Sequence, residues 1–238
     1  MVKRFSEQRG YTQSLTTVAN FQKILSYSVH ALVCHLFALV FGPLALSFYL
    51  YNMKFLIVGL GNIGPEYAHT RHNIGFDIAD QLVKDLDGDF ELLKLAYYAE
   101  VSFKGKKLHV IKPTTFMNLS GKAVNYWMKD LKIAPENVLV LVDDLALPLG
   151  KLRMKLQGSS AGHNGLKSIE ELCGGQNYAR LRFGISDNFR KGQQAEYVLG
   201  SFDKNEQKEL PTLINRGVSM IKSFVTIGPA QTMTLFNK

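Results

Sequence analysis

The chain has 238 residues, which is one domain or at most two, and its 46% hydrophobic and 20% charged content excludes a disordered polyelectrolyte. Its two cysteines, Cys34 and Cys173, exclude a disulfide framework and a zinc site built on cysteine alone. The net charge of +8 is unevenly spread. Residues 145–191 hold eight basic and three acidic side chains, whereas 53–144 hold 11 basic and 12 acidic. Such clustering points either to a polyanion partner or to a solvated basic face.

From Ile24 to Asn52 there is no Asp, Glu, Lys or Arg, a run long enough to span a bilayer. Lys3, Arg4, Arg9 and Lys23 precede it, as for a signal anchor, while Pro43, His30 and His35 weaken it. Met53 then opens "MKFLIVGLGN", which reads as the start of a cytosolic α/β domain. Residues 1–52 are expected to be an N-terminal extension from an upstream start codon. A hydrophobic anchor through residues 24–52 and a cleaved targeting peptide are the alternatives. The functional domain is expected over 53–238.

"KFLIVGL" (54–60) predicts a buried strand, and "IGFDIADQLVKDL" (74–86) a helix with Ile74, Ile78, Leu82 and Leu86 on one stripe. "YYAEVSF" and "KLHVIKP" around "KGKK" read as a hairpin. Ser120 is placed to cap a helix through "GKAVNYWMKDL". "NVLVLVDD" (137–144) is a second buried strand ending in two acids. "GKLRMKLQ" (150–157) and "ARLRFGI" (179–185) alternate basic and apolar residues, as half-exposed strands do, and "GLKSIEELCG" (165–174) between them is a short helix. Asp203 and Glu206 form a capping-box pattern before a last helix bearing Leu210, Leu213, Ile214, Val218 and Ile221, which Pro211 is expected to bend or delay. Strands interleaved with helices predict an α/β fold: a single globular domain with a mixed central β-sheet flanked by helices.

Gly59, Gly61 and Gly64 spell the dinucleotide fingerprint G-x-G-x-x-G after the first strand. Pro65 and the polar "PEYAHTRHN" intervene where that motif needs its helix, and no second strand ends in an acid about 20 residues on. A tight turn with Asn62 at its tip is the reading preferred here. Catalytic residue types gather after strand ends: Asn62 and His72, then Asn118, then Asp143 and Asp144, then His163 and Asn164. His69 and His72 lack a third ligand at matching spacing, so no metal site is expected. A histidine oriented by a carboxylate can act as a general base on water, with amides as oxyanion donors. A loop-rich surface with ordinary Asn caps and turns fits the same residues, and spacing alone leaves both open.

The blocks "VGLGN", "GPEYAHTRHNIGF", "KPTTFMNLSGKAV", "LVDDLALPLGKLRMK", "GHNGLKS" and "RLRFGI" closely resemble, in order and across essentially all of 53–238, the bacterial-type peptidyl-tRNA hydrolases. The resemblance implies hydrolysis of the ester between a peptide and the 3′ ribose of tRNA, recycling peptidyl-tRNA from stalled ribosomes with no metal and no cofactor. It implies His72 as base, Asp143 as its support, and Asn62, Asn118 and Asn164 as site amides. It implies Tyr67, Phe116 and Met117 along the peptide channel, with Gly162 and His163 at its rim. It also implies Lys155 and Arg182 on the tRNA 5′ phosphate, with Arg153 and Arg180 assisting, and peptidyl-tRNA as the partner through its 5′ phosphate, acceptor stem and 3′ end. A cytoplasmic monomer is expected. An RNA-binding relative of the same fold without hydrolytic activity is the alternative. Ile63 stands where the family usually has Pro, and Val142 where relatives carry a polar residue.

Overall fold

The apolar runs form the central strands, as their composition requires. The computed structural model describes residues 53–238, and the expectations for residues 1–52 lie outside the described residues. Strands β1 (Lys54–Gly59) and β5 (Val138–Asp144) are buried almost end to end. They pair in parallel, and β1 pairs in parallel with β4 (Lys106–Pro113) on its other side. β3 (Ala96–Phe103) runs antiparallel to β4, and β2 (Glu91–Leu93) antiparallel to β3. β7 (Ala179–Gly184) lies parallel to β5, and β6 (Leu152–Lys155) closes that edge antiparallel to β7. The seven-stranded mixed sheet has the order β2-β3-β4-β1-β5-β7-β6.

Each face of the sheet is covered by helices, because alternate side chains of fully buried strands need cover on both sides. α1 (Ile74–Lys84) and the long α5 (Lys204–Ile227) pack on one face. There Ile78, Leu82, Val218, Ile221 and Phe224 meet Phe55, Ile57, Leu139, Leu141 and Leu181. α2 (Ser120–Leu131) and α3 (Asn164–Leu172) cover the other, where Val124, Trp127, Leu166 and Ile169 meet Leu56, Val58, Val140 and Val142. The short α4 (Gln194–Leu199) precedes α5, and α6 (Pro229–Phe236) follows it after Gly228 turns the chain at φ 84°.

Three local expectations are corrected. Ser120 is not a cap: it is the first residue of α2, fully buried, and its hydroxyl donates back to the Met117 carbonyl at 2.8 Å. β7 is not half-exposed, because β5 and β6 flank it and Arg180 lies against the Gly158, Ser159 and Gln176 carbonyls, leaving only Arg182 partly open. Pro211 does not delay α5, which starts at Lys204 with Asp203 accepting from the Asn205 and Glu206 amides. No helix among the described residues is long and apolar enough to cross a membrane.

Candidate active site

Gly59 of the G-x-G-x-x-G stretch and Gly75 beyond it serve packing. A Cβ on Gly75, in the first turn of α1, would stand 2.5 Å from the Leu141 carbonyl, and one on Gly59 would stand 2.5 Å from the Gly75 carbonyl. α1 can therefore press its N-terminal end against the ends of β1 and β5 only because neither residue has a side chain. The 3₁₀ turn Arg71–Asn73 immediately precedes α1 and is thereby lowered onto the end of β5. Gly64, at φ 118°, takes a conformation that L side chains rarely adopt, and it turns the chain back after Asn62.

That placement brings His72 to Asp143. Nδ1 of His72 lies 3.0 Å from each carboxylate oxygen. A second imidazole shares the carboxylate: His163 Nε2 is 3.0 Å from Asp143 Oδ1, and the two rings stand 4.8 Å apart between centroids. The protons follow from the partners. His163 Nδ1 caps α3 by accepting from the Gly165 and Leu166 amides at 3.1 and 3.3 Å, so its proton is on Nε2 and is donated to Asp143. His72 Nδ1 faces the same carboxylate and carries its proton, which leaves Nε2 with a lone pair for the cleft. Burial of Asp143 pushes its pKa up, but the charge interactions and hydrogen bonds of His163 and His72 outweigh this and hold it well below the usual carboxylate range.

The ligand atoms of His72, Asp143 and His163 lie within 4.8 Å of one another, close enough to embrace a cation. The capping role of His163 argues against it. A metal on Nε2 would require the proton on Nδ1, facing two backbone N–H donors. The donor set therefore fits a hydrogen-bonded acid–base cluster better than a metal centre.

A cleft of about 640 Å³ opens beside this cluster. It is lined by Asn62, His72, Phe116, Met117, Asn118, Asp143, Gly162, His163, Asn164 and Arg182 from the expected set. Asn62 is buried, and its Oδ1 accepts from the Met117 amide at 2.8 Å, so its Nδ2 is the group left for a ligand. Asn118 and Asn164 are exposed in the cleft and spend no side-chain hydrogen bond on the described protein. Phe116, 57% exposed, presents its ring to the cleft. Tyr67 is half-buried in a 3₁₀ turn and does not line the cleft.

The basic residues divide. On β6, Arg153 is exposed and Lys155 half-exposed, and neither side chain has an ion pair among the described residues. Arg182 reaches the cleft but is paired through Nε with Asp144 Oδ2 at 2.7 Å. Arg180 is a correction. It is only 2% exposed, and its guanidinium donates to the Gly158, Ser159 and Gln176 carbonyls beside Glu170. A polyanion arriving from solvent does not meet it.

Two features escaped the sequence reading. Asn73 exchanges hydrogen bonds with the Asn62 backbone, accepting at 2.9 Å and donating at 2.9 Å, so it joins the two active-site loops. α4 supplies a cleft wall through Ala195, Val198 and Leu199, from a segment whose sequence carries no motif.

The family model described as peptidyl-tRNA hydrolase matches residues 56–238. A peptidyl-tRNA hydrolase of Cytophaga hutchinsonii is 54% identical over 185 residues, covering 78% of this chain and 98% of its own. One from Aquifex aeolicus is 42% identical over 186 residues, covering 77% and 96%. The crystal structure of peptidyl-tRNA hydrolase from Acinetobacter baumannii superposes with a TM-score of 0.74 at 35% identity, covering 77% of this chain and 94% of that one.

Proposed function

The chain belongs to the peptidyl-tRNA hydrolase family and is a hydrolase of that class; from that premise we propose how its residues carry out the reaction. His72 Nε2 takes a proton from water, and the resulting hydroxide attacks the ester carbonyl joining the peptide to the 3′ ribose of tRNA. Asp143 orients the imidazole through Nδ1 and stabilises the imidazolium that forms. The Asn118 amide donates to the developing oxyanion, and Asn164 and Asn62 hold the water and the peptide end. As the tetrahedral intermediate collapses, the C–O bond to the ribose breaks. The imidazolium returns its proton to the departing ribose oxygen. The products are a free peptide carboxyl and tRNA. No step calls for a metal or a cofactor.

The observation that carries this reading is the His72–Asp143 pair at 3.0 Å on the wall of a cleft where the side-chain amides of Asn118 and Asn164 have no hydrogen-bond partner among the described residues. Phe116 and Met117 form an apolar wall suited to a peptide side chain, with Gly162 at the rim. Lys155, with Arg153 two residues before it on β6 and Arg182 opposite Arg153 on β7, offers the phosphate contact for the tRNA 5′ end beside the acceptor stem, positioning without reading sequence. Residues 53–238 are proposed to be the complete catalytic unit, working as a monomer in the cytoplasm, where peptidyl-tRNA is released from ribosomes.

The test is release of peptide from N-blocked aminoacyl-tRNA by the full chain, by residues 53–238 and by His72→Ala, with chelator present. Cleavage by the first two and none by the third is expected. tRNA binding without cleavage by any of them would replace this reading with that of an RNA-binding relative.

A further inference from the structure

Arg71, next to the proposed base, is buried although it is an arginine in a surface turn. Its backbone N–H donates to the Gly200 carbonyl at 3.0 Å. One guanidinium nitrogen donates to the Ser201 carbonyl at 2.6 Å and the other to Glu206 Oε2 at 2.7 Å. The guanidinium lies over the Tyr197 ring at 4.3 Å and 5.2 Å from the Phe202 ring centroid. Glu206 is itself fixed, because the same oxygen accepts from the Asp203 amide at 2.7 Å to complete the capping box of α5. An isolated bridge between Thr70 and Ser201 continues the same seam.

The 3₁₀ turn that carries His72 is three residues long and has no side-chain cap of its own. Asn73 ties it to the Asn62 loop on one side. On the other side, among the described residues, the seam at Thr70 and Arg71 ties it to the 197–206 stretch. A planar fork held by a carbonyl, a carboxylate and two aromatic rings has one orientation, which a flexible ammonium does not reproduce. We propose that Arg71, anchored by Glu206, is a positioning residue of the reaction: it clamps the turn so that the His72 imidazole keeps Nδ1 on Asp143 and Nε2 toward the cleft. This rests on the reading of His72 as the base.

The test compares the wild-type full chain, His72→Ala, Arg71→Lys and Glu206→Gln on N-blocked aminoacyl-tRNA, with thermal melts to establish folding. Arg71→Lys is expected to lower kcat about tenfold or more with KM within about threefold, since a small displacement of a reacting group is costly. Glu206→Gln is expected to do the same to a lesser degree, and it carries the test if the lysine variant does not fold. Long-range ¹⁵N spectra of the histidines supply a readout that overall stability does not move: the His72 Nδ1–H tautomer of the wild type should give way to exchange between tautomers in Arg71→Lys. Wild-type kcat in both folded variants, or a loss confined to KM with the His72 signal unchanged, would overturn the positioning role alone. An active His72→Ala would instead overturn the reading beneath it.

Discussion

One oxygen of Asp143 accepts from both His72 Nδ1 and His163 Nε2, each at 3.0 Å. The carboxylate is thus the acceptor for two imidazole N–H groups in a place almost closed to water. An amide there offers one acceptor oxygen and turns an NH₂ toward at least one ring that also donates. Asp143→Asn should therefore lower kcat on the order of 10²–10⁴-fold by leaving the base misoriented. It should also change stability in a pH-dependent way. The Asp143 pKa is lower in the folded chain than in the unfolded one, so its stabilising contribution is complete above about 4 and is withdrawn as pH falls through the folded value. Urea midpoints of wild type and Asp143→Asn should differ at pH 6 and converge below pH 4. A gap that stays constant into acid would contradict the assignment.

His163 holds two positions at once, capping α3 through Nδ1 and donating to Asp143 through Nε2. The two roles can be separated. Asparagine is a good N-cap but too short to keep the Asp143 contact, whereas alanine loses both. Both variants lose the hydrogen bond to Asp143, and His163→Ala should be less stable than His163→Asn by about 1 kcal/mol, the contribution of the cap. Both should lower kcat by similar factors. Chemical denaturation beside steady-state kinetics decides it, and full activity in His163→Asn would show that the second imidazole is only a cap.

Much of this was legible before folding. The apolar runs at 54–60 and 137–144 could only be buried strands, and Asp203 with Glu206 announced the start of α5. The constellation of His72, Asp143, Asn118 and Asn164 was legible as residue types after strand ends, because open α/β sheets keep their sites there. What remained hidden was set by tertiary partners. The alternation in "ARLRFGI" gives no sign that Arg180 lies beneath the Gly158–Ser159 loop rather than in solvent. Asn73 looks like any loop amide until Asn62 is placed against it, and His163 looks like a rim residue until α3 starts at its ring. Arg71 was invisible for the same reason, since its partners lie some 130 positions away.

The site amides should sort by their partners. Asn62 Oδ1 is the acceptor for the buried Met117 amide, so Asn62→Ala orphans a backbone donor and should cost about 1–3 kcal/mol in stability as well as activity. Asn118 and Asn164 support nothing in the described fold, so their alanine variants should melt within about 0.5 kcal/mol of wild type. Asn118→Ala should still lose on the order of 10²–10³ in kcat as an oxyanion donor. An Asn118→Ala enzyme with normal kcat and raised KM would move that residue from the transition state to ground-state binding.

The basic segment should split in the same manner. Arg153→Ala removes an exposed cation and Lys155→Ala a half-exposed one, neither with an ion pair among the described residues. Each should raise KM for tRNA substrates and reduce the slope of log affinity against log salt by about 1 per lost phosphate contact, with kcat and melting point unchanged. Arg180→Ala removes a guanidinium that satisfies the Gly158, Ser159 and Gln176 carbonyls beside Glu170. It should destabilise the domain by roughly 3 kcal/mol, as expected when one partner of a buried charged network is deleted. Its salt slope should match that of the wild type when both are measured well below the melting point. A weaker salt dependence in folded Arg180→Ala would mean that the Gly158–Ser159 loop opens to let tRNA reach this side chain. The same slope in all three variants would take the phosphate contact away from β6 altogether.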